Sequence, residues 1–511
     1  MKSVHAARTS AANQRFGVGA AAIGLALLAA VLGGLMIGIE LWLPLLALGG
    51  LGVASITNIG FLLKPPMSRI YLPVAIAVTL LASLVHSATR IPVGYVVEAL
   101  FVCLMLPLLR ALVATARHDA YFRAALFAFS GFLALAIASS FLGHSKRLAG
   151  AWQLFYDLKW VLMLAIGLMT TWDDKSIGMM RKMVKWSWLL ILPFAVVEIA
   201  APDIYAKIMS IREHVPIETK ILPFLRRGVT GPFSHPGYLA NVSGFLAAAC
   251  LIFARREGWK WYGLPFVVYF SLLLAADQRQ ELMDWVILSC AILCLEYRAA
   301  RYLLATIGAL GAVALVVLLN YTSFDPFGRV TAQFDFTGLG NTLSERGILT
   351  LYGAKVADSY FPFGAGLGTY GGAGAWKFDQ SLFEGLGFSR YWWFRQNLFL
   401  MDTYWPNFMA ESGWIGAGLM LLTNMALGFR LWLLALRGKD ENRSLYLLAF
   451  SGFVLMFLNT ATSAMITDPR GVFVFWILIG VALRTALPAT TALRPFLTGS
   501  SRRPGSLSMS S

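Results

Sequence analysis

Long apolar runs separated by short polar stretches make up most of the chain. Fourteen can be marked off, at 17–38, 41–63, 70–89, 91–114, 121–142, 153–171, 186–201, 237–254, 261–276, 282–297, 302–319, 404–428, 444–463 and 471–487. A helix needs about 20 mostly apolar residues to cross the hydrocarbon of a bilayer. The pattern therefore predicts an all-α polytopic membrane protein of about fourteen transmembrane helices. The runs 186–201, 261–276 and 282–297 are short, which makes the range twelve to fourteen. The first run continues past Leu35 with no clean Ala-x-Ala closure, so it reads as a span and not as a cleaved signal. Two polar connections are too long to be turns, 202–236 and the 84-residue stretch 320–403 before the twelfth helix. The domain plan is an N-terminal tail 1–16, a membrane domain 17–487 and a C-terminal tail 488–511. That last tail is rich in Ser, Pro, Gly and Arg and reads as disordered.

Composition agrees, with 58% apolar and only 13% charged residues, about half the charge of a soluble domain. The net charge of +16 would suit nucleic acid, but its distribution follows topology. With the N-terminus inside, 24 of the 42 basic residues fall on cytoplasmic segments, among them Arg181, Lys185, Arg255, Arg256, Arg430 and Arg443. The short connections on the other face hold Arg90, Lys146, Arg147, Arg279 and Arg470. This positive-inside bias puts both termini in the cytoplasm and both long loops outside, and it leaves no role for nucleic acid. The four cysteines, Cys103, Cys250, Cys290 and Cys294, all fall within apolar runs and read as small buried residues. No metal or cofactor is implied.

Ionisable residues in or beside spans are costly and mark function by default. Glu98, Asp157, Lys159, Glu198, Asp284 and Glu411 qualify. Asp277, Glu281 and Asp284 would share one helical face at the outer end of the tenth span, either as a packing cluster or as a charged pocket open to the outside. Arg226 and Arg227 stand before a rigid Gly-Val-Thr-Gly-Pro-Phe-Ser-His-Pro turn containing His235, and paired arginines suit phosphate. His235 could equally be a turn residue. The large loop has 19 aromatic residues in 84, including Tyr370 and the run Tyr391-Trp392-Trp393-Phe394. It is either a platform for sugar rings or a segment resting on the membrane interface. Gly364, Gly366 and Gly368 are a weak pattern for a nucleotide. They read better as a tight backbone turn or a close approach to a ligand. Asp402 and Glu411 are candidate bases at the external surface.

Taken in order, these clusters resemble the O-antigen ligase and polysaccharide polymerase superfamily of bacterial inner membranes. The matching pieces run over roughly 220–430. They are Arg227 with Thr230-Gly231-x-Phe233-x-x-Pro236, then Gln278-Arg279, Arg346, Gly364-x-Gly366-x-Gly368 and Glu411-x-Gly413-x-x-Gly416. Where the family often has His-Asn, this chain has Asp402-Thr403, which counts against a ligase. The resemblance implies a metal-independent glycosyltransferase that polymerises undecaprenyl-diphosphate-linked saccharide repeats on the periplasmic face. It places Arg227, Arg279 and Arg346 on the leaving diphosphate and Asp402 or Glu411 as the base. Arg226, His235, Asp277, Gly364, Gly366, Gly368, Tyr370, Trp392 and Trp393 would line the substrate. Other polysaccharide export proteins are candidate partners. A ligase acting on lipid A-core or another acceptor is the nearest alternative, and a flippase or transporter and a non-catalytic scaffold are the alternatives of other classes.

Overall fold

A computed structural model describes residues 108–109, 111–170, 172–209, 228–233, 235–297, 302, 345–438, 440–461, 463–464, 466 and 469–487. The expected spans 17–38, 41–63 and 70–89, nearly all of 302–319 and both tails lie outside these residues, and 91–114 is described only near its end. The described residues are helical throughout, with no strand among them. Five helices are long and apolar enough to cross a membrane: Ala120–Leu142, Arg147–Met169, Asp174–Ala200, Pro236–Glu257 and Trp405–Arg437.

In chain order the helices are α1 (Ala120–Leu142), α2 (Arg147–Met169), α3 (Asp174–Trp186), α4 (Trp188–Ala200) and α5 (Pro202–Met209). They continue with α6 (Pro236–Glu257), α7 (Trp259–Ala275) and α8 (Arg279–Glu296). The loop contributes α9 (Glu345–Ser359) and α10 (Ala373–Phe378), and the bundle closes with α11 (Trp405–Arg437), α12 (Asp440–Asn459) and α13 (Pro469–Thr485). Local chemistry sets several of the starts. Asp119 caps α1 by accepting the Phe122 amide at 3.0 Å, as short acceptor side chains do at an N-cap. Pro236 opens α6, where its missing N–H costs nothing, and His235 Nδ1 accepts the Gly237 amide at 3.0 Å. His235 is thus the turn residue that the sequence allowed.

Side-chain pairs fix the directions. Asp119 at the start of α1 meets Arg430 late in α11, whereas Ser139 late in α1 donates to the Glu411 carbonyl early in α11. These two helices are antiparallel. α2 and α13 run parallel: Trp160 packs on Trp476, and Arg484 donates to the Leu168 carbonyl. Gly167 and Gly480 face each other there so closely that a Cβ on either would strike the other backbone, the small-residue contact by which helices approach in lipid. One end of the bundle gathers ion pairs of basic residues, Arg181 and Lys185 with Glu257, and Arg255 and Arg443 with Glu296. The other end carries the large loop.

Three expectations change. Asp277 does not share the α8 face: its φ is +53° and α8 begins only at Arg279. The stretch 320–403 is not an open loop where it is described. Residues 345–403 fold into α9, α10 and further short helical turns around their own apolar cluster. The helix after it runs to Arg437, past the expected end at 428, and breaks at Gly413, whose φ is +69° and ψ 179°. That backbone region is essentially restricted to glycine.

The break has a purpose in the packing. It frees the carbonyls of Ala410 and Glu411, which then accept the amides of Ala365 (2.8 Å) and Gly366 (3.0 Å). A Cβ at Gly413 would sit 2.5 Å from the Pro362 carbonyl oxygen. Gly413→Ala should therefore destabilise the protein by about 2–3 kcal/mol through backbone strain and crowding. A thermal melt of the detergent-solubilised variant checks this, and an unchanged midpoint would refute the docking role.

Candidate functional site

At the loop-bearing end, five separate stretches of chain meet. The first is the turn before α6. Glu198, at the end of α4, accepts the amides of Thr230 and Gly231, both at 2.8 Å, and the Thr230 hydroxyl. Tyr205 bonds the same turn through Thr230 and the Gly231 carbonyl. Glu198 is a buried anchor whose charge is met by three donors, which accounts for a carboxylate at that depth. Gly228 packs on Ala276 and Asp277, and Val229 donates to Ala275 at 2.9 Å. The Thr-Gly turn is thereby held against the turn that leads to Arg279. Arg226 and Arg227, immediately before Gly228, lie outside the described residues.

The second stretch is the first turn of α8. Arg279 is exposed at its start. Glu281 lies beside Gly237 and the His235 ring, and Asn459 at the end of α12 donates to Glu281 Oε1 at 3.3 Å. Gln280 donates to the Leu458 carbonyl at 3.3 Å, so α8 and α12 are tied together at this level. Asp284 follows one turn deeper and is buried, and its Oδ2 has no protein donor among the described residues; the same holds for Asn459 Oδ1. The cluster on the α8 face is thus Glu281 and Asp284, without Asp277.

The large loop supplies the rest. Arg346 lies in the first turn of α9 and is exposed. Its guanidinium stands 3.5 Å from the Asp402 carboxylate, with both side chains close to half exposed. An exposed pair at that distance contributes about 0–1 kcal/mol, so Asp402 does not immobilise Arg346. Trp405 donates to Thr460 at 3.1 Å and closes the ring on the α12 side. The Arg346–Asp402 pair and the Glu281–Asn459 bond are thus joined through Trp405 and Thr460, with the exposed Arg279 in the same turn as Glu281 and His235 beside Gly237. Glu281 is the member that sequence reasoning did not rank as a site residue. Its signal was its position in the first turn of a short, charge-rich span.

Other expected site residues go elsewhere. Glu411 is not at the external surface: it is 2% exposed. It accepts the Tyr370 amide at 3.0 Å and is bonded by the backbone of Gly368 and Thr369 as well. Asn407 can donate to Glu411 Oε1 at 3.1 Å and to the Tyr370 carbonyl. Gly364, Gly366 and Gly368 all have positive φ. Their tight turns press against Gly413, Ser145 and Ala149 of this chain. The glycine loop is thus a plug seated on Glu411 and in the α11 break, and its close approaches are to protein. Asp157 belongs to the same buried cluster, bonded to Gln153 at 2.9 Å. It borders a cavity of about 10 Å³ also lined by Tyr156, Tyr404 and Asn407.

The aromatic residues are mostly the core of the loop. Tyr370 is buried, stacks on Phe383 at 4.7 Å and donates to the Leu349 carbonyl. Trp393 is 2% exposed and packs on Phe388 and Tyr391. Neither presents a face to a saccharide, whereas Trp392 is 57% exposed. A small folded domain must bury its large side chains before it can display any, and twelve residues of this cluster are buried.

An ion pair clamps the cap to the bundle. Lys146, before α2, reaches Asp379 at 2.7 Å. Burial opposes the charged form of Asp379, but Lys146 and the Ser381 hydroxyl and amide outweigh it and hold the carboxyl below the usual range. A lowered folded pKa gives stability that is present above the unfolded value, about 3.9, and is lost as pH falls through the folded value. Proteolysis by pepsin across 345–403 should therefore accelerate below about pH 4. Asp379→Asn should make the loop more cleavable by trypsin at neutral pH and flatten the acid dependence seen with pepsin. Identical profiles for both proteins would rule the clamp out.

No protein-family model matches the chain, and no curated protein matches it.

Proposed function

We propose that the protein polymerises undecaprenyl-diphosphate-linked oligosaccharide repeats at the external face of a bacterial inner membrane. In this reading about fourteen helices frame the site and both termini are cytoplasmic. The carrying observation is that the Arg346–Asp402 pair and the Glu281–Asn459 bond, with Arg279 in the same turn as Glu281, are joined through Trp405 and Thr460 at the loop-bearing end of an apolar bundle.

The chemistry follows from that set. Transfer from a lipid diphosphate leaves negative charge on the departing phosphate. Fixed cations at a partly dehydrated surface stabilise it strongly. Arg346 and Arg279 are the described arginines suited to this, with Arg227 a third from the sequence. Among the described residues Arg346 is held by a weak exposed pair with Asp402, so a diphosphate with its greater charge displaces Asp402 as its partner. Asp402 is thereby released beside the anion, and Glu281, bonded by Asn459 at the same end of α12, is the second carboxylate of the set. One of these two carboxylates takes the proton of the attacking hydroxyl. Glu411 is left out, because a carboxyl group 2% exposed, bonded by the Tyr370 amide and buried under the loop, cannot meet a substrate.

The resemblance of the motif order supports the same reading, and Asp402 in place of a histidine favours polymerase over ligase. The test is deletion of the gene in the source strain, with polysaccharide sized and carrier lipid analysed. Accumulation of single lipid-linked repeats with loss of long chains is the expected result. Long polymer left on its carrier would indicate a ligase, and normal polysaccharide would exclude both. Elongation by purified protein in liposomes without an ion gradient separates this reading from a transporter.

A further inference from the structure

Three cations gather on the surface of the folded loop 345–403. Arg390 donates through Nη2 to the Tyr352 and Tyr391 hydroxyls, both at 2.7 Å. Its guanidinium lies 4.8 Å from the centre of the Tyr391 ring. Lys355 Nζ stands 5.1 Å from the centre of the Tyr352 ring, and Arg395 donates to the Arg390 carbonyl at 3.4 Å. All three side chains are exposed. Among the described residues none of the three forms an ion pair. Asp358, one turn on from Lys355, accepts Trp414 Nε1 at 2.7 Å instead. Glu384 is exposed and likewise unpaired among the described residues. Of the loop's other carboxylates, Asp379 is on Lys146 and Asp402 on Arg346, and Glu345 stands beside Arg346 in the chain. Three cations and two carboxylates leave this place one positive charge. The Arg390 fork is held by its two hydroxyl partners with Nε and Nη1 still open, a geometry suited to phosphate.

The register of α9 on α11 sets the depth of these cations. Arg346 pairs with Asp402, Gly353 packs on Pro406 and Asp358 bonds Trp414. α9 therefore runs alongside the start of α11 in the same direction, toward the bundle. Arg430 marks the far end of the α11 span through its pair with Asp119. About 20 residues cross the hydrocarbon, and that count back from Arg430 ends near Glu411. Exposed apolar side chains agree, with Phe361, Phe363, Trp414 and Ile415 around the Gly413 break, and Phe141 and Leu142 at the end of α1. Exposed aromatic residues at the end of a span mark the interface. Lys355 is about 5 Å further out than Asp358 along α9, and Tyr352, which holds Arg390, about 9 Å. A headgroup layer is about 5–8 Å deep, within reach of these long side chains.

We propose that Lys355, Arg390 and Arg395 hold the phosphodiester headgroup of an anionic phospholipid and so seat the folded loop on the leaflet. Arg390 supplies the fork, and Lys355 and Arg395 flank it. The acyl chains lie against the exposed Phe361, Phe363 and Trp414. The rings beside Arg390 are already engaged, Tyr391 by Trp393 and Arg390, and Tyr352 by Phe388 and Lys355. That favours a headgroup over a stacked sugar. The site is independent of the glycosyl-transfer reading.

The experiment is chemical footprinting of the full-length protein in nanodiscs of phosphatidylcholine alone or with one quarter phosphatidylglycerol. Phenylglyoxal labels arginines and N-acetoxysuccinimide labels lysines, and the peptides are read by mass spectrometry. Phosphatidylglycerol should slow modification of Lys355, Arg390 and Arg395 by about fivefold each, the effect of one basic side chain at a lipid surface. Arg346, about 18 Å before Asp358 along α9, should react alike in both. The Lys355→Gln/Arg395→Gln double variant should leave Arg390 unprotected, with its thermal midpoint recorded to show that it is folded. Equal modification of wild type in the two lipids overturns the proposal, as does full protection of Arg390 in the folded double variant. Equal protection of Arg346 also overturns it, because the effect is then not local. Protection by added oligogalacturonate in phosphatidylcholine alone, matching that by phosphatidylglycerol, overturns it in favour of an acidic saccharide. If the double variant does not fold, the wild-type comparisons decide the matter.

Discussion

Glu411→Ala will unseat the folded loop 345–403 instead of merely slowing a reaction. The Glu411 carboxylate accepts the Tyr370 amide and is bonded by the backbone of Gly368 and Thr369, with Asn407 beside it. Truncation leaves these donors buried without a partner, and each costs about 1–3 kcal/mol. Their sum is not additive, but a loss of about 4–5 kcal/mol is expected, at the far end of what a single substitution does. Glu411→Gln keeps one acceptor oxygen and turns an amide donor toward backbone donors, so it should fall between the two. The readouts are the thermal midpoint in detergent and protease cleavage across 345–403. A Glu411→Ala protein with wild-type melting and cleavage, yet no polymer synthesis, would return Glu411 to the role of base and sink the anchor account.

Arg346→Ala should have the opposite signature, a folded protein with little activity. Its pair with Asp402 is exposed and 3.5 Å long, so removal costs about 0–1 kcal/mol of stability. If Arg346 stabilises the departing diphosphate, its loss should slow elongation of lipid-linked repeats in liposomes by about 10²–10³-fold. Arg346→Lys keeps the charge and loses the planar fork, so it should recover only part of the rate. Glu281→Gln and Asp402→Asn then assign the base: the one that abolishes the acid limb of rate against pH holds the proton acceptor. Wild-type elongation by Arg346→Ala would remove the central element of the proposed site.

The two substitutions separate what the chain pattern holds from what it does not. The Glu-x-Gly-x-x-Gly and Gly-x-Gly-x-Gly patterns look like surface chemistry in one dimension. In the fold they are the two halves of one joint, a helix broken at Gly413 and a glycine loop inserted into the break. The aromatic richness of the loop likewise suggests a platform, but Trp393, Tyr370, Phe383 and Phe388 are spent on its core.

By itself the sequence determined the all-helical architecture where the chain is described, the apolar stretches and the polar junctions at which the candidate chemistry lies. These follow from local sums: enough consecutive apolar residues, a capping side chain or a proline at a boundary, a basic cluster at one end. Only the tertiary structure decided which carboxylates are anchors and which are accessible. Glu411 and Tyr370 are 41 positions apart and Glu281 and Asn459 are 178 apart, beyond the reach of any periodicity. Whether a charged side chain is paid for by protein donors or left open to a ligand depends on neighbours brought in by packing. That is why Glu198 and Glu411, met by backbone donors, read as anchors while Glu281 is kept as a candidate for chemistry.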